Sequence, residues 1–499
     1  MLFNTPVFIL GFLPIALAGF FLLGRWAGRR AALWYLAGAS LFFYGWWNPP
    51  FVLLLAGSIG ANYGLGQAIL HARLAGRTRQ ARLILIAGLA LDLGLLGWFK
   101  YAHFLAASLA ALAGWPAPHW HIFLPLAISF FTFQQVMFLV DSFRADRADA
   151  GLLAYANFIA FFPHLISGPI VRPKDIIPQF QRDTVVLWNT NGFTEGLDIF
   201  LLGLAKKLVL ADTFGGFADV GFAAANHAAP LGFFEAWYAL LAYALQIYFD
   251  FSGYSDMAIG LARMFGIRFP LNFTSPYKSR NIREFWQHWN MTLSFFLRDY
   301  LYIPLGGNRH GEGRRIGNLM ATMLLGGLWH GAGWTFITWG GLHGAYLVIH
   351  GWFRRLARPL PAPFRPIGRL GAHALTLLAV ILAWVPFRAS GLPACLTLLR
   401  GLAGLNGIAL PRLMIRALPA LGWIARPVPV LPYLGDTRTL AFPEITACLA
   451  LGWFIVLALP HLHQMSAPTR RLAVAGSFAF AMQALFFAPA VIPFLYFQF

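Results

Sequence analysis

The sequence has 499 residues, of which 59% are hydrophobic and 11% are charged, and its formal net charge is +19. A charged fraction this far below the roughly 25% of soluble domains excludes a soluble globular protein. Apolar runs recur from residue 6 to the C-terminus, and about 20 helical residues cross a hydrocarbon core of ~30 Å. Because the runs lack the alternation of transmembrane β-strands, the sequence predicts an all-α, polytopic integral membrane protein.

The positive charge is concentrated at the ends of the apolar runs. This placement favours orientation in the membrane and contact with anionic membrane lipids, and it does not predict nucleic acid as a partner. Arg25, Arg29 and Arg30 follow the first run, and a second group of arginines follows the third, namely Arg73, Arg77, Arg79 and Arg82. The positive-inside rule therefore places both loops in the cytoplasm and the N-terminus on the outer side. The first run lacks a cleavage pattern, so we expect it to remain as a span.

The apolar runs predict about eleven to thirteen membrane helices. They lie near residues 6–24, 31–48, 50–70, 83–102, 121–140, 151–169, 193–211, 232–250, 317–352, 371–388, 441–460 and 471–498. Asp92 interrupts the fourth run, and we expect its carboxylate to turn inward or to lie near water, because contact with lipid would be costly.

Two segments interrupt the pattern of spans. Residues 268–316 mix charged, aromatic, proline and glycine residues and are not compatible with a span exposed to lipid. Residues 389–440 contain six prolines between short apolar patches, which predicts an external loop with short horizontal helices. No internal repeat is visible, so residues 1–499 are predicted to form a single membrane domain.

Several common chemistries lack their sequence signatures. Cys395 and Cys448 are the two cysteines and stand outside any ligand spacing, so neither a disulfide framework nor a metal site is predicted. The chain has no motif typical of serine hydrolases, zinc proteases, P-loop ATPases or dinucleotide-binding folds. No bound cofactor is predicted.

The stretch GGLWHGAGWTFITWGGLHG, residues 326–344, places histidines in an apolar run. The glycines near His330 remove side-chain bulk and, with indoles such as that of Trp329, predict a groove. An imidazole in such a groove is suited to act as a general base, and the alternative is a buried histidine that donates to a helix carbonyl. His343 lies roughly 220° around an ideal helix from His330, so it is predicted to have a supporting role unless the helix breaks at its glycines.

A second histidine lies in REFWQHWNMTLS, residues 283–294. Glu284 precedes His288 by one helical turn and Thr292 follows it by one turn, so either side chain is predicted to orient the imidazole. A hydrogen-bonded imidazole at low dielectric can position or polarise a carbonyl. Trp286 and Asn290 are predicted to line the cavity, and the alternative for the whole segment is an interfacial amphipathic helix.

A third polar segment, YFDFSGYSDMAIG, spans residues 248–260. Asp250 and Asp256 fall on different helix faces, which argues against a paired acid and base. For Asp250 we therefore expect a supporting role through helix capping, a turn at Gly253, or hydrogen bonds to the His288 segment.

The order of motifs resembles the membrane-bound O-acyltransferase family. The resemblance rests on LPLAISFFTFQQ (124–135), FFPHLISGPIVRP (161–173), GLAKKLVLAD (203–212), YFDFSGYSDMAIGLARMFGI (248–267), NIREFWQHWNMTLSFFLRDYLYIPLGG (281–307) and GGLWHGAGWTFITWGGLHG (326–344). These motifs place the catalytic core at roughly residues 120–350. Within the family the chain is most similar to the bacterial branch of alginate O-acetyltransferase membrane subunits.

The resemblance implies a ring of helices around a central funnel or tunnel. It matches the family histidine to His330 and a second family position to His288, and so implies that both are catalytic. It further implies transfer of an acetyl group from acetyl-CoA or another acyl thioester in the cytoplasm to an exported polysaccharide such as alginate. The implied location is the bacterial inner membrane with a periplasmic N-terminus. The implied partners are a periplasmic SGNH-type acetyltransferase and the polysaccharide synthase or export machinery.

The sequence is also compatible with two other classes of function. The first is a transporter or lipid scramblase whose buried histidines relay protons, although the chain shows no two-half repeat. The second is a noncatalytic scaffold for a polysaccharide synthase, in which the histidines have no chemical role.

Overall fold

A computed structural model describes residues 1–116, 118, 120, 122–144, 151–356, 361–411, 415–416, 419–423, 425–428, 431, 442–487 and 492–495. Within these ranges the chain is almost entirely helical, which confirms the predicted all-α class. Two three-residue strands, β1 (Ala409–Pro411) and β2 (Arg426–Val428), form a short parallel ladder. The ring of helices around a funnel stays a prediction.

The chain packs as two compact units. The first contains Met1–Ala205, Tyr254–Asn272 and the described residues of Ser466–Gln498, and the second contains Lys206–Gly253 and the described residues of Phe273–Met465. One long helix contributes residues to both units. The single membrane domain over residues 1–499 and the catalytic core at 120–350 stay predictions.

The first unit is built mainly from the N-terminal helices. They are α1 (Leu13–Gly45), α2 (Pro50–Leu74), α3 (Thr78–Leu96), α4 (Ala102–Ala113), α5 (Ile128–Arg144), α6 (Leu152–Ala160), α7 (Phe162–Leu165), α8 (Pro173–Gln181) and α9 (Thr190–Ala205).

The second unit contains most of the remaining helices. Those between α9 and the two strands are α10 (Asp212–Asn226), α11 (Phe233–Met264), α12 (Ile282–His288), α13 (Met291–Phe296), α14 (Gly311–His330), α15 (Trp334–Leu356), α16 (Arg365–Arg388) and α17 (Leu392–Leu402). Two helices follow the strands, α18 (Phe442–Ala458) in the second unit and α19 (Ala467–Phe487) in the first. The helix shared by both units is α11.

Four helical segments in the described part of the chain are long and apolar enough to cross a bilayer. They are Val7–Gly45, Pro50–Leu74, Thr78–Ala113 and Ala362–Arg388. The first contains both of the first two predicted spans, which meet at Gly28, a glycine with φ of +80°. The chain is thus a multi-pass membrane protein, and the total of eleven to thirteen membrane helices stays a prediction.

Several predicted span boundaries are wrong. Residues 151–169 divide into α6 and α7 at Phe161, where an extended ψ of 110° and the following Pro163 interrupt the helix. Residues 317–352 divide into α14 and α15. The predicted turn at Gly253 is also wrong, because α11 continues through that residue to Met264.

Buried polar side chains in the first unit form hydrogen-bonded pairs between neighbouring helices. Asp92 is 2% exposed, and one of its carboxylate oxygens accepts a hydrogen bond of 2.8 Å from the Asn62 amide. Ser58 and Gln135, both buried, form a second pair between helices. The inward orientation predicted for Asp92 is confirmed, as expected for a carboxylate that hydrocarbon would penalise.

Residues 389–440 are described only in part. Within the described part, α17 buries one face through side chains that include Cys395 and Leu398, and Trp237 donates a hydrogen bond to the carbonyl of Leu402. Residues 432–440 lie outside the described residues. The external and horizontal placement of this segment stays a prediction.

Candidate active site

The helix that carries His330 ends at His330. Gly331 follows in an extended conformation, with φ of −166° and ψ of 148°, and the N–H of Gly333 donates to the Gly331 carbonyl at 3.0 Å. The next helix, α15, begins at Trp334. The prediction of one span over residues 317–352 is wrong because Gly-Ala-Gly replaces a helical turn with a tight connection.

The two helices of this hairpin pack backbone to backbone. A Cβ atom on Gly327 would collide with the Phe336 carbonyl, and a Cβ atom on Gly340 would collide with the Met323 carbonyl. Small residues at such a crossing allow helices to approach closely inside a membrane. The glycines thus bring the side chains of α15 next to the end of α14.

Close packing at this crossing leads to a stability prediction with a neighbouring control. Replacing Gly340 with Ala is expected to lower the free energy of unfolding by about 1–3 kcal/mol, because the added methyl overpacks the hairpin. At Gly341 a Cβ atom would lie 3.6 Å from the Leu324 side chain, an ordinary contact. Gly341→Ala is therefore expected to stabilise the helix by up to about 1 kcal/mol. Denaturant unfolding in detergent micelles measures the stability of both variants. Equal changes in the free energy of unfolding would contradict the close helix crossing at Gly340.

His330 is 4% exposed, and its imidazole lies among aromatic rings. Its centroid is 4.8 Å from the ring of Trp329, 5.0 Å from that of Trp339 and 5.2 Å from that of Phe387, all in edge-to-face arrangements. These rings belong to α14, α15 and α16. The position of His330 is therefore determined by three helices of one unit.

His343 lies on the same face of α15 as Trp339, one helical turn away. Its ring centroid is 4.8 Å from that of Trp339 and 5.2 Å from that of Trp286. Trp339 therefore contacts both histidines. The exception that the sequence left open for His343 applies, because the helix breaks at its glycines and α15 folds back along α14.

Several buried polar atoms around His343 have no hydrogen-bond partner among the described residues. They are both ring nitrogens of His343 and the indole Nε1 atoms of Trp286 and Trp339. An unsatisfied buried group costs about 1–3 kcal/mol. Packing alone would not favour this cost. The unpaired indole and imidazole nitrogens are therefore available to donate hydrogen bonds to the carbonyl or hydroxyl oxygen of a ligand.

The end of α12 orients His288. Its Nδ1 lies 2.6 Å from the hydroxyl oxygen of Thr274, and the Thr274 N–H donates to the His288 carbonyl at 3.1 Å. The prediction that Glu284 or Thr292 orients the His288 imidazole is wrong. Glu284 closes the start of α12 by accepting a hydrogen bond from the N–H of Arg280, and α12 ends before the turn that would bring Thr292 back to His288.

Asn290 separates two short helices. It adopts the left-handed conformation with φ of 42°, is 2% exposed and precedes α13. Its Nδ2 atom has no hydrogen-bond partner among the described residues. Asn tolerates this backbone conformation better than most residues, so Asn290 marks the change of direction between α12 and α13.

Asp250 forms part of a buried ion cluster. One of its carboxylate oxygens lies 2.7 Å from the Nζ of Lys207, which also lies 2.7 Å from a carboxylate oxygen of Asp212. The Lys207 side chain is 1% exposed and that of Asp250 is 3% exposed. The partner found for Asp250 is thus a lysine in the helical segment Lys206–Ala211, which precedes α10. Hydrogen bonds to the His288 segment had been one of the expectations for Asp250.

A family model for "MBOAT, membrane-bound O-acyltransferase family" matches residues 98–384, more than half of the chain. The chain belongs to this family. It is accordingly an O-acyltransferase, and the matched region includes His288, His330 and Asp250 together with the hairpin that positions His343.

Two of the relatives compared here by identity match most of the chain, and a third matches less than half of it. It is 42% identical to a peptidoglycan O-acetyltransferase from Helicobacter pylori over 82% of this chain and 81% of the relative. It is 44% identical to a "Probable alginate O-acetylase AlgI" from Pseudomonas putida over 79% of this chain and 78% of the relative. A teichoic acid D-alanyltransferase from Streptococcus thermophilus is 32% identical over 46% of this chain and 58% of the relative.

The structure brings together most of the predicted site residues of this O-acyltransferase. His330, Trp329, Trp286 and His343 are linked through ring contacts with Trp339 or with one another. His288 lies on the same short helix as Trp286, and its ring is held by Thr274.

Sequence reasoning did not single out Trp339, Phe387, Thr274 or Lys207. Trp339 could have been identified from its position one helical turn before His343. A lysine inside an apolar helical run was a signal for Lys207. No local signal connects Phe387 or Thr274 to a histidine, since both lie on other elements.

The Thr274 contact predicts a modest kinetic effect. Thr274→Val keeps the side-chain shape and removes the hydroxyl, which is worth about 1 kcal/mol in a neutral hydrogen bond. If the orientation of His288 contributes to the reaction, kcat is expected to fall about fivefold. Acyl transfer by the protein in lipid vesicles measures this, with Thr274→Ser as the control that keeps the hydroxyl. Equal rates for the Val and Ser variants would contradict the role.

Proposed function

We propose that this protein transfers an acetyl group from a cytoplasmic acyl thioester, with acetyl-CoA as the donor, for the O-acetylation of an exported polysaccharide such as alginate. The observation that carries the proposal is the position of His330 at the end of α14, 4% exposed and enclosed by the rings of Trp329, Trp339 and Phe387. A neutral imidazole at such a place accepts a hydroxyl proton at low dielectric.

The chemistry assigned to His330 is general-base catalysis. Its imidazole takes the proton of the acceptor hydroxyl while the hydroxyl oxygen attacks the carbonyl carbon of the thioester. The carbon–sulfur bond then breaks, and the leaving thiolate takes up the proton to become a thiol. The indole N–H groups of Trp286 and Trp339 and the imidazole of His343 support this step as hydrogen-bond donors for a carbonyl oxygen.

His288 is proposed as the second catalytic histidine. Its hydrogen bond with Thr274 holds the ring in one orientation, as a group that positions or polarises a thioester carbonyl requires. Trp286 on the same helix contacts Trp339, which contacts His330. This chain of contacts supports a common site for the two histidines.

The relatives support the acetyl group and a glycan acceptor. One is named for peptidoglycan and another for alginate, so we propose that the acceptor is a glycan exported from the cell. The proposed location is the bacterial inner membrane with the N-terminus in the periplasm, since the basic segments at Arg25–Arg30 and Arg73–Arg82 favour the cytoplasm. A periplasmic SGNH-type acetyltransferase and the polysaccharide synthase or export machinery are the proposed partners.

Analysis of the glycans in cells that lack the protein tests this function. Deletion is expected to remove O-acetyl groups from one exported glycan while the amount of that glycan stays the same, and the wild-type chain is expected to restore them. Mass analysis of each surface glycan measures acetyl groups per sugar. A loss of glycan with unchanged acetylation would favour a scaffold, and unchanged acetylation of all glycans would overturn the proposal.

A further inference from the structure

A polar seam runs along the contact between α10 and α11 in the second unit. On α11 it consists of Tyr243, Gln246 and Asp250, whose spacing of three and four residues places them on one face of the helix. The Gln246 side chain packs against α10 at Gly215, where a Cβ atom would lie only 2.7 Å from the Gln246 Nε2 atom. The ring of Tyr243 lies 5.3 Å from that of Phe222, further along α10. The polar face of α11 is therefore directed at α10.

The inner end of the polar seam is the buried ion cluster of Lys207, Asp212 and Asp250. Lys207 belongs to the π-helical segment Lys206–Ala211, which joins α9 to α10. Short π-helical segments occur frequently at functional sites. Charged side chains inside a membrane protein are costly, and they commonly mark a path for ions or protons. Lys207 is paired with both carboxylates, so the cluster combines one positive and two negative charges when all three groups are ionised.

The outer end of the polar seam reaches the surface at Asp219 of α10. An ion pair of 2.8 Å joins the Asp219 carboxylate to Arg388 at the end of α16, and the Asp219 side chain is 56% exposed. The Arg388 guanidinium also lies 5.9 Å from the centre of the Tyr243 ring. The hydroxyl of Ser390, just after α16, donates a hydrogen bond of 2.8 Å to the Asn226 side chain at the end of α10. The seam thus leads from the side on which α10 and α16 both end to the ion cluster.

The middle of the polar seam contains buried polar atoms that lack a hydrogen-bond partner among the described residues. They are the hydroxyl oxygen of Tyr243, the side-chain carbonyl oxygen of Gln246 and the Nε of Arg388. Tyr243 is 0% exposed and Gln246 is 6% exposed. Buried polar groups in proteins almost always have hydrogen-bond partners. A small ligand that both donates and accepts hydrogen bonds satisfies a hydroxyl, a carbonyl oxygen and an N–H in one line, and water has that chemistry.

We propose that the polar seam holds a chain of water molecules and conducts protons between the surface at Asp219 and the buried carboxylate of Asp250. A proton from solvent binds to the first water, and each transfer forms one O–H bond as the next one breaks. The Tyr243 hydroxyl takes part because it accepts a proton on one side and releases its own on the other. The proton finally forms an O–H bond with Asp250, and it returns to solvent by the reverse steps. No other bond changes and no co-reactant is consumed.

Protonation of Asp250 changes the charge of the ion cluster. Lys207 is then paired with one ionised carboxylate, that of Asp212, and the cluster is neutral overall. The seam thus allows a charge buried in the second unit to respond to the pH of the solution on the side where α10 ends. This activity is separate from acyl transfer, since it requires neither a thioester nor a glycan.

Accessibility to a water-soluble reagent tests whether the polar seam is hydrated. Gln246→Cys is compared with Ala244→Cys, because Ala244 is 0% exposed and lies about 200° around α11 from Gln246. Both variants also carry Cys395→Ala and Cys448→Ala. In lipid vesicles, a methanethiosulfonate with a quaternary ammonium group is expected to modify the Gln246→Cys protein about tenfold faster or more, since the reactive thiolate is disfavoured in apolar packing. Equal rates of modification would overturn the proposal.

The rate of proton uptake tests the conducting path itself. After a pH jump, infrared spectroscopy of the full-length protein in lipid vesicles follows the carboxyl band that Asp250→Asn removes. Tyr243→Phe keeps the ring against Phe222 and removes the hydroxyl. It is expected to slow the appearance of this band about tenfold, which corresponds to about 1.4 kcal/mol in the barrier. The matched control is Tyr238→Phe, which removes a hydroxyl of the same helix that is bonded to Thr446, and it is expected to leave the rate unchanged.

The outcomes separate a proton path from a polar contact that only supports the fold. Gln246→Leu interrupts the same path at a second point and is expected to slow proton uptake by a similar factor. Melting temperatures equal to that of the wild type establish that the variants are folded. An unchanged rate of uptake in the folded Tyr243→Phe protein would overturn the proposal, and so would a carboxyl spectrum in which no band depends on Asp250. Neither measurement involves acyl transfer, so failure of the proposed function would leave both results unaffected.

Discussion

Replacing His330 with Gln is expected to lower the rate of acyl transfer by about 10²–10⁴-fold, the usual contribution of a general base. The amide keeps much of the volume of the imidazole, so the packing against Trp339 and Phe387 is largely preserved. It does not accept a proton at neutral pH, however. The measurement is transfer of a labelled acetyl group from acetyl-CoA to the exported glycan, with kcat and KM determined separately.

The expected pattern for His330→Gln is a large fall in kcat with little change in KM for the donor, since the substitution removes a group that acts in the transition state. His227→Gln serves as a matched control because His227 is exposed in the turn after α10. Both proteins should reach the membrane in equal amounts. Wild-type kcat in a folded His330→Gln protein would show that His330 is a packing residue.

Replacing Lys207 with Met is expected to lower the free energy of unfolding by about 3–5 kcal/mol, as removal of one partner from a buried ion pair does elsewhere. The lysine lies between the carboxylates of Asp212 and Asp250 at 2.7 Å from each. Its loss leaves Asp250, with a side chain 3% exposed, as a charge without that partner. Asp212 is 17% exposed and has better access to solvent.

A double variant tests whether the loss comes from the uncompensated carboxylate. Lys207→Met together with Asp250→Asn removes both charges, so it is expected to be more stable than Lys207→Met alone. Denaturant unfolding in detergent micelles measures the single and double variants. Equal stability of Lys207→Met and the wild type would show that the ion cluster makes no net contribution to the fold.

Much of the site was accessible from local sequence patterns. The position of His330 in an apolar run predicted its burial, and the glycines around it predicted a close approach of neighbouring groups. Within GWTFITWGGLHG, Trp339 and His343 are four residues apart, and this spacing predicts that the two side chains contact each other on one face of a helix. These features depend only on residue type and on the periodicity of one helix, which the sequence expresses directly.

The interactions of the polar side chains were less accessible. Glu284 stands one helical turn from His288, yet its carboxylate accepts a hydrogen bond from the N–H of Arg280 at the start of α12. The hydrogen-bond partner of the His288 ring is Thr274 instead. Asp250 pairs with Lys207, a residue far away in the chain. A buried polar group bonds to whichever partner folding brings near, and that partner often lies on another element.

Composition and long ordered motifs were enough to predict the all-α membrane class, the inward orientation of Asp92 and the family to which the chain belongs. The end of α14 at His330 and the return of α15 along it became visible only in the folded chain, where His343 packs against the same indole as His330. The physical reason is that a single span over 317–352 and a glycine-linked hairpin have nearly the same apolar periodicity. The backbone contacts at Gly327 and Gly340 distinguish them, and those contacts exist only in the packed chain.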